Sequence, residues 1–240
     1  MNEQIDSMIH DAMQLNNDGV HRLEHHDYAG SIKSLSSALA LAKQAIRGRA
    51  SHPRKDSCTT YPMFVYSVLI QVGDAIGSHC SSAGEEEPIY VYQYARAIGN
   101  QNIDGSIENC NKISGLIVFN LALVHHMGAI HVHRRQDPNR AASLLAKAQR
   151  LYEHSFQIQV REDCYDMDTA RALAIWNNLA HVSCLLNEEV KAQQCWKRLL
   201  ALILYLRDSP HTDNCSLSAE PFISNVLHLI LKSPNSSAAA

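Results

Sequence analysis

The sequence predicts a mainly α protein: a solenoid of antiparallel helix pairs with an inserted β-hairpin and a C-terminal capping helix. Three observations carry that prediction. One spacing of small and large residues recurs three times along the chain. Within the recurrences, apolar residues return every three or four positions, the period of a helix face. Between the first and second recurrence, two short stretches alternate with period two, the period of a strand.

In the first segment Gly19 is followed by Ser31, Leu35 and Ala38, at offsets of 12, 16 and 19. In the third, Ala180 is followed by Ala192, Trp196 and Leu199 at the same offsets. In the second, Ala122 is followed by Ala141, Leu145 and Ala148, with the first gap seven residues longer. Seven residues is about two helical turns, so a first helix can lengthen there without rotating its apolar face away. Ile32, Leu35, Leu39 and Ala42 share one stripe, as do Ala141, Leu145, Ala148 and Tyr152. The small residues Gly19, Ala122 and Ala180 allow the two helices of a pair to approach closely. Each elbow offers an N-cap: Asp27 before Tyr28, Asp137 before Pro138, and Asn187 before Glu188 and Glu189. Short polar side chains there accept from the unsatisfied N–H groups of a helix start, and proline suits the first helical position.

These offsets, with Asn120-Leu121-Ala122 and Asn178-Leu179-Ala180, resemble the tetratricopeptide (TPR) repeat, a helix–turn–helix of about 34 residues that stacks into a superhelix. Gly19, Ala122 and Ala180 match the family's small residue in the first helix. Ser31, Ala141 and Ala192 match the small residue that opens the second, and Leu35, Leu145 and Trp196 its large apolar residue. The resemblance covers about half the chain. It is closer for the first and third repeats than for the second. The repeats are not contiguous, and the family's closing proline is absent from all three.

The chain therefore divides into a first helix pair (1–47), an insertion (48–103), the second and third pairs (104–207), and a last section (208–240) of loop, capping helix and disordered tail. Arg47 to Ser57 reads as a loop, with Gly48 and Pro53. In the insertion, Phe64, Tyr66, Val68 and Ile70 alternate, as do Tyr90, Tyr92 and Tyr94. Pro62 and Pro88 precede the two runs, which read as a hairpin with a long connection. A helix over Phe64–Ile76 is the rival, because an isolated strand pair is marginal without packing. Ser218 is positioned to cap a last helix running to Lys232, whose stripe is Phe222, Val226, Leu229 and Ile230. A solenoid needs such a helix to cover its open end.

Composition narrows the function. A net charge of −3 opposes general nucleic-acid binding, which needs a basic face. No run of about 18 apolar residues marks a membrane span. The polar, acidic start of the chain does not resemble a targeting leader. The seven cysteines (Cys58, Cys80, Cys110, Cys164, Cys184, Cys195 and Cys215) are odd in number and lack C-x-x-C spacing. That usage fits a reducing compartment, cytoplasm or nucleus.

Histidine is the one abundant reactive type, with 14 copies. His21 and His25 stand at i, i+4, with Glu24 and Asp27 the nearest carboxylates. A metal needs three or four ligands, and two surface histidines are the commoner outcome. His126 and His133 share a helix face, whereas His125 and His131 lie elsewhere around it. The reading is a polar face, with a metal or proton-linked site as rival. His181 and Cys184 are three apart, but no orienting group or oxyanion donor accompanies them. No phosphate-binding or nucleophile-elbow motif occurs. The five basic residues between Lys43 and Lys55 read as solvated loop, and Tyr90, Tyr92 and Tyr94 as a packing face. No enzyme activity, metal or cofactor is expected.

The TPR resemblance implies a concave groove lined by first helices. By position it assigns Asn16, Val20 and Leu23 from the first repeat, Phe119, Leu123, His126 and Met127 from the second, and Asn177, His181 and Cys184 from the third. No Lys or Arg occupies these positions, so the carboxylate grip of chaperone-type TPR domains is not expected. The expected function is a non-catalytic interaction module or scaffold holding a peptide or helix of a protein partner. Alternatively, the insertion or the last helix fills the groove. The competing function is a metal- or thiol-dependent enzyme using the histidine-rich second repeat.

Overall fold

A computed structural model describes residues 2–51, 65–70, 91–99, 106–134, 136–161, 168–208 and 220–231. The described residues form seven helices and one two-stranded antiparallel sheet. In chain order these are α1 (Asn2–Glu24), α2 (Tyr28–Ser51), β1 (Val65–Leu69), β2 (Tyr94–Ile98), α3 (Ile107–Arg134), α4 (Pro138–Arg161), α5 (Thr169–Leu185), α6 (Glu189–Asp208) and α7 (Glu220–Leu231). The chain divides into two compact units. The first comprises Met1–Val72 and Gln93–Met167, and the second Gly73–Tyr92 and Asp168–Ala240. Ser218 and the tail after Lys232 lie outside the described residues.

Helices pack in consecutive pairs, α1 with α2, α3 with α4 and α5 with α6. The three elbows share one backbone solution. His26, Gln136 and Asn187 have φ of 59°, 63° and 58°. In the first elbow, His26 N–H donates to Leu23 C=O and Asp27 N–H to Arg22 C=O, both at 2.9 Å. In the third, Asn187 N–H donates to Cys184 C=O at 3.0 Å and Glu188 N–H to Ser183 C=O at 2.9 Å. Gln136 N–H reaches His133 C=O at 3.0 Å in the second. This is the closure in which a left-handed residue ends one helix and satisfies its last carbonyls. The next residue then starts the following helix. Asp27 Oδ1 accepts from Gly30 N–H at 2.9 Å, and Asp137 Oδ1 from Arg140 N–H at 3.0 Å. Asn187 is a correction: it is the left-handed residue of its elbow, matching His26 and Gln136 rather than the caps Asp27 and Asp137.

Close approach within the first pair depends on Gly19. A Cβ there would lie 2.6 Å from Leu35 Cγ, and Ser31 Oγ donates to Gly19 C=O at 2.7 Å. Both partners belong to the repeated spacing. At the other end of the pair, α2 continues through Arg47 to Ser51, where a loop was expected. Arg49, buried, pairs with Asp6 of α1 at 2.9 Å, and that contact holds the extra turn in place. The basic stretch is thus partly structural.

Second helices bury one face. In α6 the buried set is Ala192, Cys195, Trp196, Leu199 and Ile203. First helix α1 does the same, but α5 differs: every residue from Arg171 to Ser183 is buried. Helix α3 is long and apolar enough to cross a bilayer by length and composition, although its apolar residues form no unbroken run. Yet 89% of that window is buried inside the protein, and a helix apolar all round is also how a core helix reads.

The expected hairpin pairing is present. β1 and β2 pair antiparallel, with Val65 opposite Ile98 and Leu69 opposite Tyr94. That excludes the rival helix over Val65–Leu69; its continuation to Ile76 lies outside the described residues. Helix α7 packs on α6 and α5 in the second unit.

Candidate functional site

An asparagine carboxamide carries one donor group and one acceptor. It can therefore satisfy both the N–H and the C=O of a single extended residue, as a neighbouring strand does. Among the described residues, three asparagines do so. Asn17 of α1 accepts from Ile98 N–H at 2.9 Å and donates to Ile98 C=O at 2.8 Å. Asn120 of α3 accepts from Arg96 N–H at 2.8 Å and donates to Arg96 C=O at 2.7 Å. In the second unit, Asn178 of α5 accepts from Tyr92 N–H and donates to Tyr92 C=O, both at 2.8 Å.

The equivalence is positional. Asn17, Asn120 and Asn178 each stand two residues before the small residue of their repeat, Gly19, Ala122 and Ala180. The gripped residues are all even-numbered. In an extended segment, alternate residues turn their amides to opposite edges. Tyr66 opposite Ala97 and Val68 opposite Ala95 serve the β1 edge, while Arg96 and Ile98 face the helices. β2 therefore has a strand on one edge and helix-borne carboxamides on the other.

The grip is braced. In the first unit, Asn16 Nδ2 donates to Arg96 C=O at 3.0 Å, and Asn120 Nδ2 to Asn16 Oδ1 at 2.8 Å. In the second unit, Asn177 Nδ2 donates to Asn178 Oδ1 at 3.2 Å, and Asn225 Nδ2 of α7 to Asn177 Oδ1 at 2.6 Å. Tyr92 also stacks on Phe222 of α7, centroids 6.0 Å apart.

The residues assigned from the repeat pattern fall on more than one face. Asn16 and Asn177 join the carboxamide networks. Phe119 and His126 both meet Tyr152 of α4, within their own pair. The Phe119 and Tyr152 centroids are 5.9 Å apart, and His126 Nδ1 lies 3.3 Å from Tyr152 Oη. Val20, Leu23, Leu123, Met127 and His181 are buried, and Cys184 is half-buried. Nine of the ten are thus buried against the chain's own atoms; β2 contacts α1 and α3 in the first unit, and α7 contacts α5 in the second. Asn17, Asn120 and Asn178 were missed as ligands. Their shared offset was the available signal.

The histidines of α3 do not converge. His126 points to Tyr152, and His131 lies against Tyr28 at 5.4 Å between centroids. His133 is exposed. Burial, reinforced by Lys147, lowers the His125 pKa to about 4. Burial alone takes His181 to about 4. Among the described residues, one group of three possible metal ligands lies within 4.8 Å: His21, Glu24 and His25, all exposed. His25 Nδ1 already bonds His21 C=O at 2.8 Å. Asp27 instead serves the elbow.

No protein-family model, no curated protein and no solved structure matches this chain, so the geometry of the asparagines is what a functional reading has to stand on.

Proposed function

We propose that this chain is a TPR-like protein-interaction module whose first helices bind extended polypeptide of a protein partner. One observation carries the reading: three offset-equivalent asparagines, each pairing with the N–H and C=O of one backbone residue. Such pairing recognises extended backbone rather than a particular side chain, the logic of strand addition at a sheet edge. The three matching elbows support a repeat origin, since one backbone closure recurs at the repeat spacing. The competing reading, an enzyme using the histidine-rich second pair, has weaker support because those rings point to different neighbours.

Site-specific photocrosslinking tests the proposal. A crosslinking residue replacing Cys184, half-buried on first helix α5, is expected to trap a partner in cell extract. The same residue replacing Leu204, exposed on second helix α6, is expected to trap none. Crosslinks arising only from the Leu204 position would overturn the reading.

A further inference from the structure

We propose that the segment Gln93–Ile98 is a resident ligand of the first unit's own peptide-binding face, and that a partner's extended strand binds by taking its place. The inference rests on the interaction reading above and adds to it the occupant, the chemistry of the partner and a mode of control. In the first unit, Asn17 and Asn120 hold Ile98 and Arg96 through backbone atoms alone. Any extended residue offers the same N–H and C=O, so the clamps cannot distinguish this segment from another strand. Side-chain selection falls to the packing: Ala95, Arg96, Ala97 and Ile98 are all buried, and the Arg96 guanidinium donates to Ser67 Oγ on β1 at 2.9 Å. A fitting partner is an extended peptide with small residues at the two positions flanking the Arg96 site and an aliphatic residue at the Ile98 site.

Covalent tethering gives the resident strand an advantage that a free peptide lacks. A competitor binds only the fraction of molecules in which the site is open, and its apparent affinity falls by that fraction. Loosening the resident strand should therefore tighten binding in trans. Arg96→Pro and Ile98→Pro remove the two N–H groups that the asparagines accept. They leave the amides of Ala95 and Ala97, on the β1 edge, in place.

The probe is a fluorescein-labelled peptide with the sequence of residues 91–99, titrated into the full chain. The Arg96→Pro/Ile98→Pro chain is expected to bind it at least about tenfold more tightly than the unaltered chain. Adding Asn120→Leu should abolish that gain. If the doubly substituted chain keeps its helical circular dichroism but gains no affinity, the proposal is overturned. Should the double substitution unfold the protein, amide exchange in the unaltered chain decides. Opening of Arg96 and Ile98 before the amides of α3 supports a displaceable strand, and opening together with α3 overturns it. Partner crosslinking at Cys184 alongside a failed titration would remove this proposal alone; loss of both would remove the interaction reading too.

Discussion

Asn120 makes two hydrogen bonds to one buried backbone residue and donates to Asn16 Oδ1; an alanine in its place deprives the Arg96 N–H and Asn16 Oδ1 of that partner, while Asn16 still donates to the Arg96 C=O. A buried polar group stripped of its partner costs about 1–3 kcal/mol. Asn120→Ala should therefore lower unfolding free energy by about 2–4 kcal/mol in urea titration. Asn17 is half-buried, so water can replace its carboxamide, and Asn17→Ala should cost about 1 kcal/mol. Equal costs for the two would contradict this account of Asn120. The asparagines also mark where sequence reading failed. Asn-Leu-Ala was visible twice, but it was used only to align repeats. The positional rule chose Phe119 and His126, whose side chains turn to Tyr152. A helix rotates about 100° per residue, so Phe119, one position before Asn120, turns toward the neighbouring helix while Asn120 turns toward the strand.

At the scale of the element, the elbows were the most legible feature and also the site of one error. Asp27 and Asp137 cap as their chemistry requires. Asn187 was read as a cap because asparagine serves at helix starts, but asparagine also tolerates the left-handed conformation. The strain of that conformation gives a graded prediction. Gln136→Gly should stabilise the protein by about 1 kcal/mol, and Asn187→Gly by less, because asparagine occupies this region more readily than glutamine. Thermal melts of the two variants check the order; a larger gain at Asn187 would refute it. The hairpin and the last helix were also legible, from period-two alternation and an apolar stripe. The end of α2 was not. Gly48 looked like a helix stop, but buried Arg49 pairs with half-buried Asp6 and carries the helix past it, and no local pattern announces a contact 43 residues away.

At the scale of the whole molecule, the sequence left open whether the groove was empty or filled. Helices α3, in the first unit, and α5, in the second, are each buried on all sides over most of their length. The same burial makes the protein acid-sensitive. His181 titrates near pH 4 when folded and near 6.5 when unfolded, so the unfolded chain binds a proton that the folded chain refuses between those values. Stability should fall as pH drops from 6.5 to 4, with His181 contributing about 3 kcal/mol of the loss. His125, whose pKa burial lowers to about the same value, acts in the same direction. His181→Asn should flatten the dependence of the urea midpoint on pH; an unchanged slope would count against this assignment. The central claim is that helix-borne carboxamides hold β2 by its backbone. Residue-resolved amide exchange at Arg96, in the unaltered chain and in Asn120→Ala, tests it most directly. The account expects protection at Arg96 that drops at least about tenfold on losing the carboxamide, while the α4 amides hold theirs. Protection at Arg96 unchanged by Asn120→Ala would contradict it.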